Sequence, residues 1–117
     1  MTMLYRAKAA DGIAWVTGAS SGIGRAAALE LARRGYVVAV TARRLPDLET
    51  LAVEAEGFAG RIVPAPGDIT DEAGILELVS SLEAAHGPIV LAFLNAGIYY
   101  PLRASPFDAA AFKQTFN

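Results

Sequence analysis

WVTGASSGIGRAAALELARRG, residues Trp15 to Gly35, joins a strand-like run to a helix-like run through three glycines. The strand-like run is Ile13 to Thr17, a short apolar segment whose turn-rich end favours a buried strand. The helix-like run places small and apolar residues on one helical face, at Gly24, Ala27, Ala28 and Leu31. Because these side chains are small, we expect the helix to lie very close to the layer that it covers, and to end at Gly35.

The alternation of strand and helix continues after Gly35. Val37 to Thr41 predicts a second buried strand. Pro46 then opens a second helix, whose apolar stripe is Leu48, Leu51, Ala52 and Ala55. Arg61 to Pro64 predicts a third strand, and its proline places that strand at a sheet edge, since proline cannot donate to the ladder.

The second half of the chain repeats the pattern. Thr70 is expected to cap a third helix, whose apolar stripe is Ile75, Leu78, Val79 and Leu82. Ile89 to Leu94 predicts a fourth strand that is apolar on both faces. Ser105 has the spacing of a capping box and opens a last helix through Phe112 and Phe116.

This succession predicts an α/β fold of the Rossmann type, a doubly wound parallel sheet with helices on both faces. Right-handed crossovers give the strand order 3-2-1-4. The outer edge of strand 4 then carries neither proline nor charge, and such an edge invites pairing with further chain. We therefore expect residues 1–117 to be a single dinucleotide-binding domain that is incomplete at its C-terminal side.

Composition narrows the class of protein. Hydrophobic residues make up 54% of the chain and charged residues 19%, which indicates a packed globular core. The net charge of −2 and the lack of a basic run argue against nucleic acid and anionic membranes as partners. There is no cysteine, no apolar signal segment and no cluster of histidines and carboxylates that suggests a metal site. A cytoplasmic protein is the expectation.

The three glycines, spaced G-x-x-x-G-x-G, suit a phosphate-binding turn. Gly18 permits a tight turn, Gly22 lets backbone approach a pyrophosphate, and Gly24 lets the helix pack tightly on the sheet. Free N–H groups at the start of the helix, with the helix dipole behind them, favour a phosphate group. The alternative from these residues alone is an ordinary glycine turn.

TGASSGIG, residues 17–24, resembles the cofactor motif of the short-chain dehydrogenase/reductase family. The resemblance continues in register. GDIT, residues 67–70, follows the third strand, where the family has an adenine-contacting Asp. LNAG, residues 94–97, is similar to the family's Asn-Asn-Ala-Gly with the first Asn replaced. Residues 112–117 resemble the helix that carries a catalytic Asn, which is Asn117 in this chain.

The resemblance implies a role for each matching residue. The backbone of Ser20, Ser21, Gly22 and Ile23 would hold the pyrophosphate and ribose. Asp68 would accept a hydrogen bond from the adenine amino group, with Ile69 beside the ring. The adenosine side would be lined by Asn95, Ala96 and Gly97. From the residues alone, turn or capping chemistry remains the alternative for Asp68, and a structural role in the turn remains one for Asn95.

The end of the second strand bears on the choice of cofactor. An NAD site places a carboxylate near this point for the ribose 2′-hydroxyl, and Ala42 stands there instead. Arg43 and Arg44 follow, and a guanidinium pairs with a 2′-phosphate. Ser20 or Ser21 could add a hydroxyl. The sequence therefore predicts that NADP(H) is preferred over NAD(H). The alternative is that the two arginines form only a basic corner exposed to solvent.

Family members transfer hydride between the nicotinamide and a carbonyl or alcohol, with a Ser and a Tyr-x-x-x-Lys pair moving the proton. Those residues belong to segments later than Asn117. The resemblance thus implies an oxidoreductase with a small carbonyl or alcohol substrate, of which this chain supplies the cofactor-binding half. The family resemblance also implies a homo-oligomer as one expected state of the protein. The alternative is a non-catalytic nucleotide-binding fragment or subunit, and in either case the 117-residue chain is predicted to be inactive alone.

Overall fold

The computed structural model describes residues 8–20 and 22–94, together with the backbone of residues 97–99. Within this part of the chain, one sheet is formed by β1 (Ile13–Thr17), β2 (Val37–Thr41), β3 (Arg61–Pro64), β4 (Ile89–Leu94) and β5 (Gly97–Tyr99). The first four strands are connected in turn by α1 (Gly22–Arg33), α2 (Leu45–Glu54) and α3 (Glu72–His86).

The strand order is β3-β2-β1-β4-β5, and β1 pairs in parallel with both β2 and β4, as β2 does with β3. The predicted order 3-2-1-4 is confirmed, and β3 lies at the sheet edge as its proline indicated. The order reverses between β1 and β4, because the chain winds outward to β3 and then returns past β1. Loops at the carboxyl ends of the strands therefore face the crevice where doubly wound sheets bind their ligands.

Helices cover both faces of the sheet, as predicted. Alternate side chains of β1 and β2 pack with α1 and α2 in a cluster that includes Val16, Val40, Ala28, Leu48 and Leu51. The other side chains of these strands pack with α3 in a cluster that includes Trp15, Ala39, Ile75, Val79 and Leu82. The period-2 alternation of a strand sends neighbouring residues to opposite faces, so both faces of these central strands are buried.

The predictions for the first two helices can be compared with the packing. The predicted face of α1 is buried in part, since Gly24 and Ala28 are buried and Ala27 and Leu31 are half-buried. The buried side of the helix is completed by Leu29 and Ala32. The helix ends at Arg33, and Gly35 follows with a φ of 100°, a conformation that glycine adopts without strain. Pro46 lies in the first turn of α2, where its missing N–H costs nothing.

The predicted cap of α3 was wrong, whereas the pairing expected at the open edge of strand 4 is present. The cap of α3 is Asp71, whose side chain accepts a hydrogen bond from the N–H of Gly74, whereas the Thr70 hydroxyl is used by Asp68. The outer edge of β4 is covered by β5, which pairs antiparallel with it through Ala92↔Tyr99, Phe93↔Ile98 and Leu94↔Gly97. An apolar strand with free backbone groups pairs with the nearest chain that also needs partners. The predicted helix that begins at Ser105 lies outside the described residues.

Candidate functional site

The loops after β1, β2 and β3 are tied side by side by backbone hydrogen bonds beyond the strand ends. The N–H of Ala19 donates to the carbonyl of Thr41 at 3.4 Å, which joins the first loop to the end of β2. The N–H of Gly67 donates to the carbonyl of Ala42 at 3.0 Å, which joins the loop after β3 to the loop after β2. The glycine-rich turn, Arg43 and Asp68 therefore belong to one continuous rim.

The glycine-rich turn depends on bare backbone at two positions. Gly18 has a φ of 65°, in the left-handed region that side chains rarely adopt. A Cβ on Gly24 would lie 2.3 Å from the carbonyl oxygen of Gly18. The closest constraint on Gly24 is thus the backbone of the turn itself, rather than the sheet on which we expected it to pack. Gly24 sets how tightly the turn folds back onto the first turn of α1.

Gly22 stands in a different environment from Gly24. Among the described residues, no heavy atom lies within 4 Å of a Cβ built on Gly22, so this part of the chain leaves the helix start open. The first turn of α1 carries no acidic residue, and its N–H groups lie at the positive end of the helix dipole. Ser20 and Ile23 are exposed, Ile23 to 75%. The start of α1 therefore offers backbone donors to an anion and has no acidic residue in its own first turn, which fits a pyrophosphate.

A buried hydrogen bond supports the end of β2. The indole N–H of Trp15 donates to the hydroxyl of Thr41 at 2.9 Å, and both side chains are fully buried. Both residues belong to strands that the sequence predicts to be buried, but the bond between them was not predicted. A polar residue at the end of an otherwise apolar strand was the available signal, since buried hydroxyls require a partner. This bond anchors the residue from which the chain continues to Ala42 and Arg43.

Both arginines that follow β2 are exposed. The Arg43 side chain is 73% exposed, and its Nη2 lies 3.5 Å from Oδ1 of Asp68. Arg44 precedes the first residue of α2, and its Nε lies 3.9 Å from Oδ2 of Asp47. The two guanidinium groups therefore have different carboxylate neighbours, and the partner of Arg43 comes from the loop after β3.

Asp68 is held by its own turn. Its Oδ1 accepts hydrogen bonds from the hydroxyl of Thr70 at 2.6 Å and from the N–H of Thr70 at 2.9 Å. These two bonds, with the hydroxyl contributing most, lower the pKa of Asp68, and the nearby Arg43 lowers it further. The turn chemistry that was the alternative for Asp68 is therefore present, and the carboxylate is ionised at neutral pH. Ile69 beside it is half-buried and packs against the cluster that includes α3.

Several predicted site residues lie outside the described residues, namely Ser21, Asn95, Ala96 and Asn117. Gly97 is described by its backbone, which pairs with Leu94 at the start of β5. Among residues 8–20 and 22–94, no group of three or more histidines and carboxylates is placed to hold a metal ion. Over the same part of the chain, no helix is both long and apolar enough to cross a membrane.

Comparison with known proteins indicates the family to which this chain belongs. The family model for short chain dehydrogenases matches residues 12–117. An uncharacterized oxidoreductase of Myxococcus xanthus is 45% identical over 85 residues, which make up 73% of this chain and 34% of that protein. Human (Homo sapiens) dehydrogenase/reductase SDR family member 11 is 34% identical over 109 residues, which make up 92% of this chain and 42% of that protein. The chain thus spans less than half the length of these curated relatives.

Solved structures of dehydrogenases have a similar fold. The alcohol dehydrogenase of the archaeon Thermococcus sibiricus, solved with 5-hydroxy-NADP, aligns with a TM-score of 0.64 at 31% identity. The alignment covers 68% of this chain and 34% of that one. The glycine-rich turn after β1, the order of β1 to β4 and a family match from residue 12 to residue 117 agree with one another. The chain belongs to the short-chain dehydrogenase/reductase family of oxidoreductases.

Proposed function

We propose that this chain supplies the cofactor-binding half of an oxidoreductase that uses NADP(H) in preference to NAD(H). When bound, the nicotinamide cofactor accepts or delivers a hydride, and the substrate is a small carbonyl compound or alcohol. The chain's own part is to bind and orient that cofactor. The catalytic Asn117 and the family's Ser and Tyr-x-x-x-Lys complete the site in the full-length protein, which we expect to be cytoplasmic and a homo-oligomer.

The start of α1 supports a pyrophosphate subsite. Among the described residues, no heavy atom lies within 4 Å of a Cβ built on Gly22, and the turn from Gly18 begins with a left-handed backbone. A phosphate needs donors and positive potential at close range, and a Cβ at this point would keep it away. Ser20 is exposed beside this helix start, and the backbone of Ser20 and Ser21 is proposed to extend the same cradle.

The observation that carries the NADP(H) preference is Arg43. It is exposed at the carboxyl end of β2, directly after Ala42, at the point where an NAD-binding member would hold the ribose 2′-hydroxyl with a carboxylate. A guanidinium there can pair with a 2′-phosphate through charge-assisted hydrogen bonds. Arg44 lies next to it and adds to the positive potential. The 5-hydroxy-NADP complex of the archaeal relative is consistent with this choice.

The adenine end is proposed on the loop after β3. Asp68 retains acceptor capacity, because its second carboxylate oxygen is separate from the Oδ1 that Thr70 occupies. That oxygen is proposed to accept from the adenine amino group, with Ile69 against the ring. Asn95, Ala96 and Gly97, which follow β4, are proposed to line the adenosine side.

The first test is cofactor selectivity in the full-length protein, measured by calorimetric titration with NADPH and with NADH. Arg43→Ala is expected to weaken NADPH binding by about tenfold or more, since charge-assisted hydrogen bonds to a phosphate are lost. NADH binding should change far less. Arg61→Ala, which removes an exposed arginine from the start of β3, is the charge control and should leave both affinities unchanged. Equal losses for the two cofactors in Arg43→Ala would refute the 2′-phosphate role.

A second test asks whether the 117-residue chain has reductase activity without the family's proton-transfer residues. The 117-residue chain, with its length verified by intact mass, is expected to show no carbonyl-dependent oxidation of NADPH. The proton-transfer residues that the family uses are not within it. The full-length protein should show that activity with at least one small carbonyl substrate. Turnover by the verified 117-residue chain would contradict the proposed division.

A further inference from the structure

Two residues proposed to meet different parts of the cofactor are in contact with each other. Nη2 of Arg43, assigned to the 2′-phosphate, lies 3.5 Å from Oδ1 of Asp68, assigned to the adenine amino group. The contact joins the loops after β2 and β3, which the Gly67–Ala42 backbone hydrogen bond already holds together. Before cofactor binds, the Arg43 guanidinium therefore already has an anionic partner.

The carboxylate of that pair is fixed in place. The hydroxyl and the N–H of Thr70 both donate to Asp68 Oδ1, the same oxygen that faces Arg43. Rotation of the carboxylate away from the rim would break both bonds. Arg43, by contrast, is 73% exposed and has a long side chain with free space in solvent for other rotamers. Any rearrangement on phosphate binding must therefore come from Arg43.

The neighbouring pair in this corner does not include Arg43. Asp47 lies 3.9 Å from Arg44, one turn into the start of α2, and both side chains are largely exposed. Asp68 is thus the carboxylate that contacts Arg43 at the place where a phosphate would bind.

We propose that Asp68 is a specificity-determining residue that competes with the 2′-phosphate for Arg43. It thereby lowers the preference for NADP(H) below the value that Arg43 alone would produce. This inference rests on the proposed function, because it requires Arg43 to bind the 2′-phosphate. The adenine contact proposed for Asp68 is common to NADP(H) and NAD(H), so its loss cancels in the ratio of their affinities.

The test is a double-mutant cycle in the full-length protein with 2′,5′-ADP and 5′-AMP, which differ only by the 2′-phosphate. Asp68→Asn keeps the shape of the side chain and the oxygen that accepts from Thr70, but removes the charge. It is expected to raise the ratio of the 5′-AMP to the 2′,5′-ADP dissociation constant by about two- to fivefold, the range of an exposed ion pair. In an Arg43→Ala background, the same substitution should leave the ratio unchanged.

Glu56→Gln, which removes one exposed negative charge just after the end of α2, controls for net charge and should leave the ratio at its wild-type value. An unchanged or lowered ratio in Asp68→Asn would overturn the competition. An equal rise with and without Arg43 would also overturn it, because the effect would then be general repulsion. If Arg43→Ala alone leaves the ratio unchanged, the proposed 2′-phosphate role fails and the competition fails with it, which separates that outcome from the first two.

Discussion

The turn after β1 and the charged corner after β2 and β3 lie side by side on one rim, but they are built in different ways. The turn is shaped by backbone, with a left-handed φ at Gly18 and a Cβ position at Gly24 that lies 2.3 Å from a carbonyl oxygen. The corner is made of exposed side chains, in which Arg43 and Asp68 approach to 3.5 Å. Substitutions in the turn should therefore act as steric blocks, whereas substitutions in the corner should change affinity and selectivity by degrees.

Among the substitutions that test this contrast, Gly24→Ala should have the largest effect on stability and binding. Its methyl group would overlap the carbonyl oxygen of Gly18, and backbone cannot move aside as a flexible side chain can. We expect the free energy of unfolding to fall by about 1–3 kcal/mol, as for overpacking of a close contact. Nucleotide binding should be lost as well, because the turn can no longer close. Urea unfolding and NADPH titration of the same preparation measure both effects.

Gly22→Ala is the matched control, two residues away in the same helix start. Its methyl group would have no heavy atom of residues 8–20 and 22–94 within 4 Å, so the free energy of unfolding should stay the same or rise by up to about 1 kcal/mol. Nucleotide binding should nevertheless weaken, because the methyl group occupies the proposed approach of the pyrophosphate. A loss of stability as large as that of Gly24→Ala would contradict the distinction between the two glycines.

An intermediate effect is expected from Thr41→Val, which acts beneath the charged corner. The substitution keeps the shape of the side chain but removes the hydroxyl that accepts from the Trp15 indole at 2.9 Å. We expect the free energy of unfolding to fall by about 1–2 kcal/mol, the cost of disturbing a buried hydrogen bond. In a Trp15→Phe background the same change should cost less, since the indole donor is absent. Equal stability of Thr41→Val and the wild type in urea would show that this bond does not support the end of β2.

The smallest effect concerns pH in the corner. Because the pKa of Asp68 is lowered in the folded chain, its contribution to stability is present above the ordinary aspartate pKa, about 3.9. That contribution is lost as the pH falls through the lower folded value. Thr70→Val should raise the pKa of Asp68 more than Arg43→Ala does, because the Thr70 hydroxyl is the main cause of the shift. Carboxyl NMR titration measures both, and the reverse order would contradict this assignment.

Sequence reasoning succeeded where a residue acts through its own backbone or its own element. The tight turn at Gly18, the stop at Gly35 and the apolar stripes of α2 and α3 follow from local rules of conformation and periodicity. It failed at the cap of α3 because two short polar side chains, Asp68 and Asp71, divide the local donors between them. Thr70 donates its hydroxyl to the first, and the second then caps the helix.

The sequence by itself determined the types of element, the order of β1 to β4 and the location of a glycine-rich turn at their carboxyl ends. These depend on hydrophobic period, chirality of crossovers and the freedom of glycine, which are properties of short segments. Only the tertiary structure decided that Asp68 meets Arg43, that Trp15 donates to Thr41 and that β5 covers β4. Each of these contacts joins different segments of the chain, and its distance depends on how two strands are brought together in the sheet.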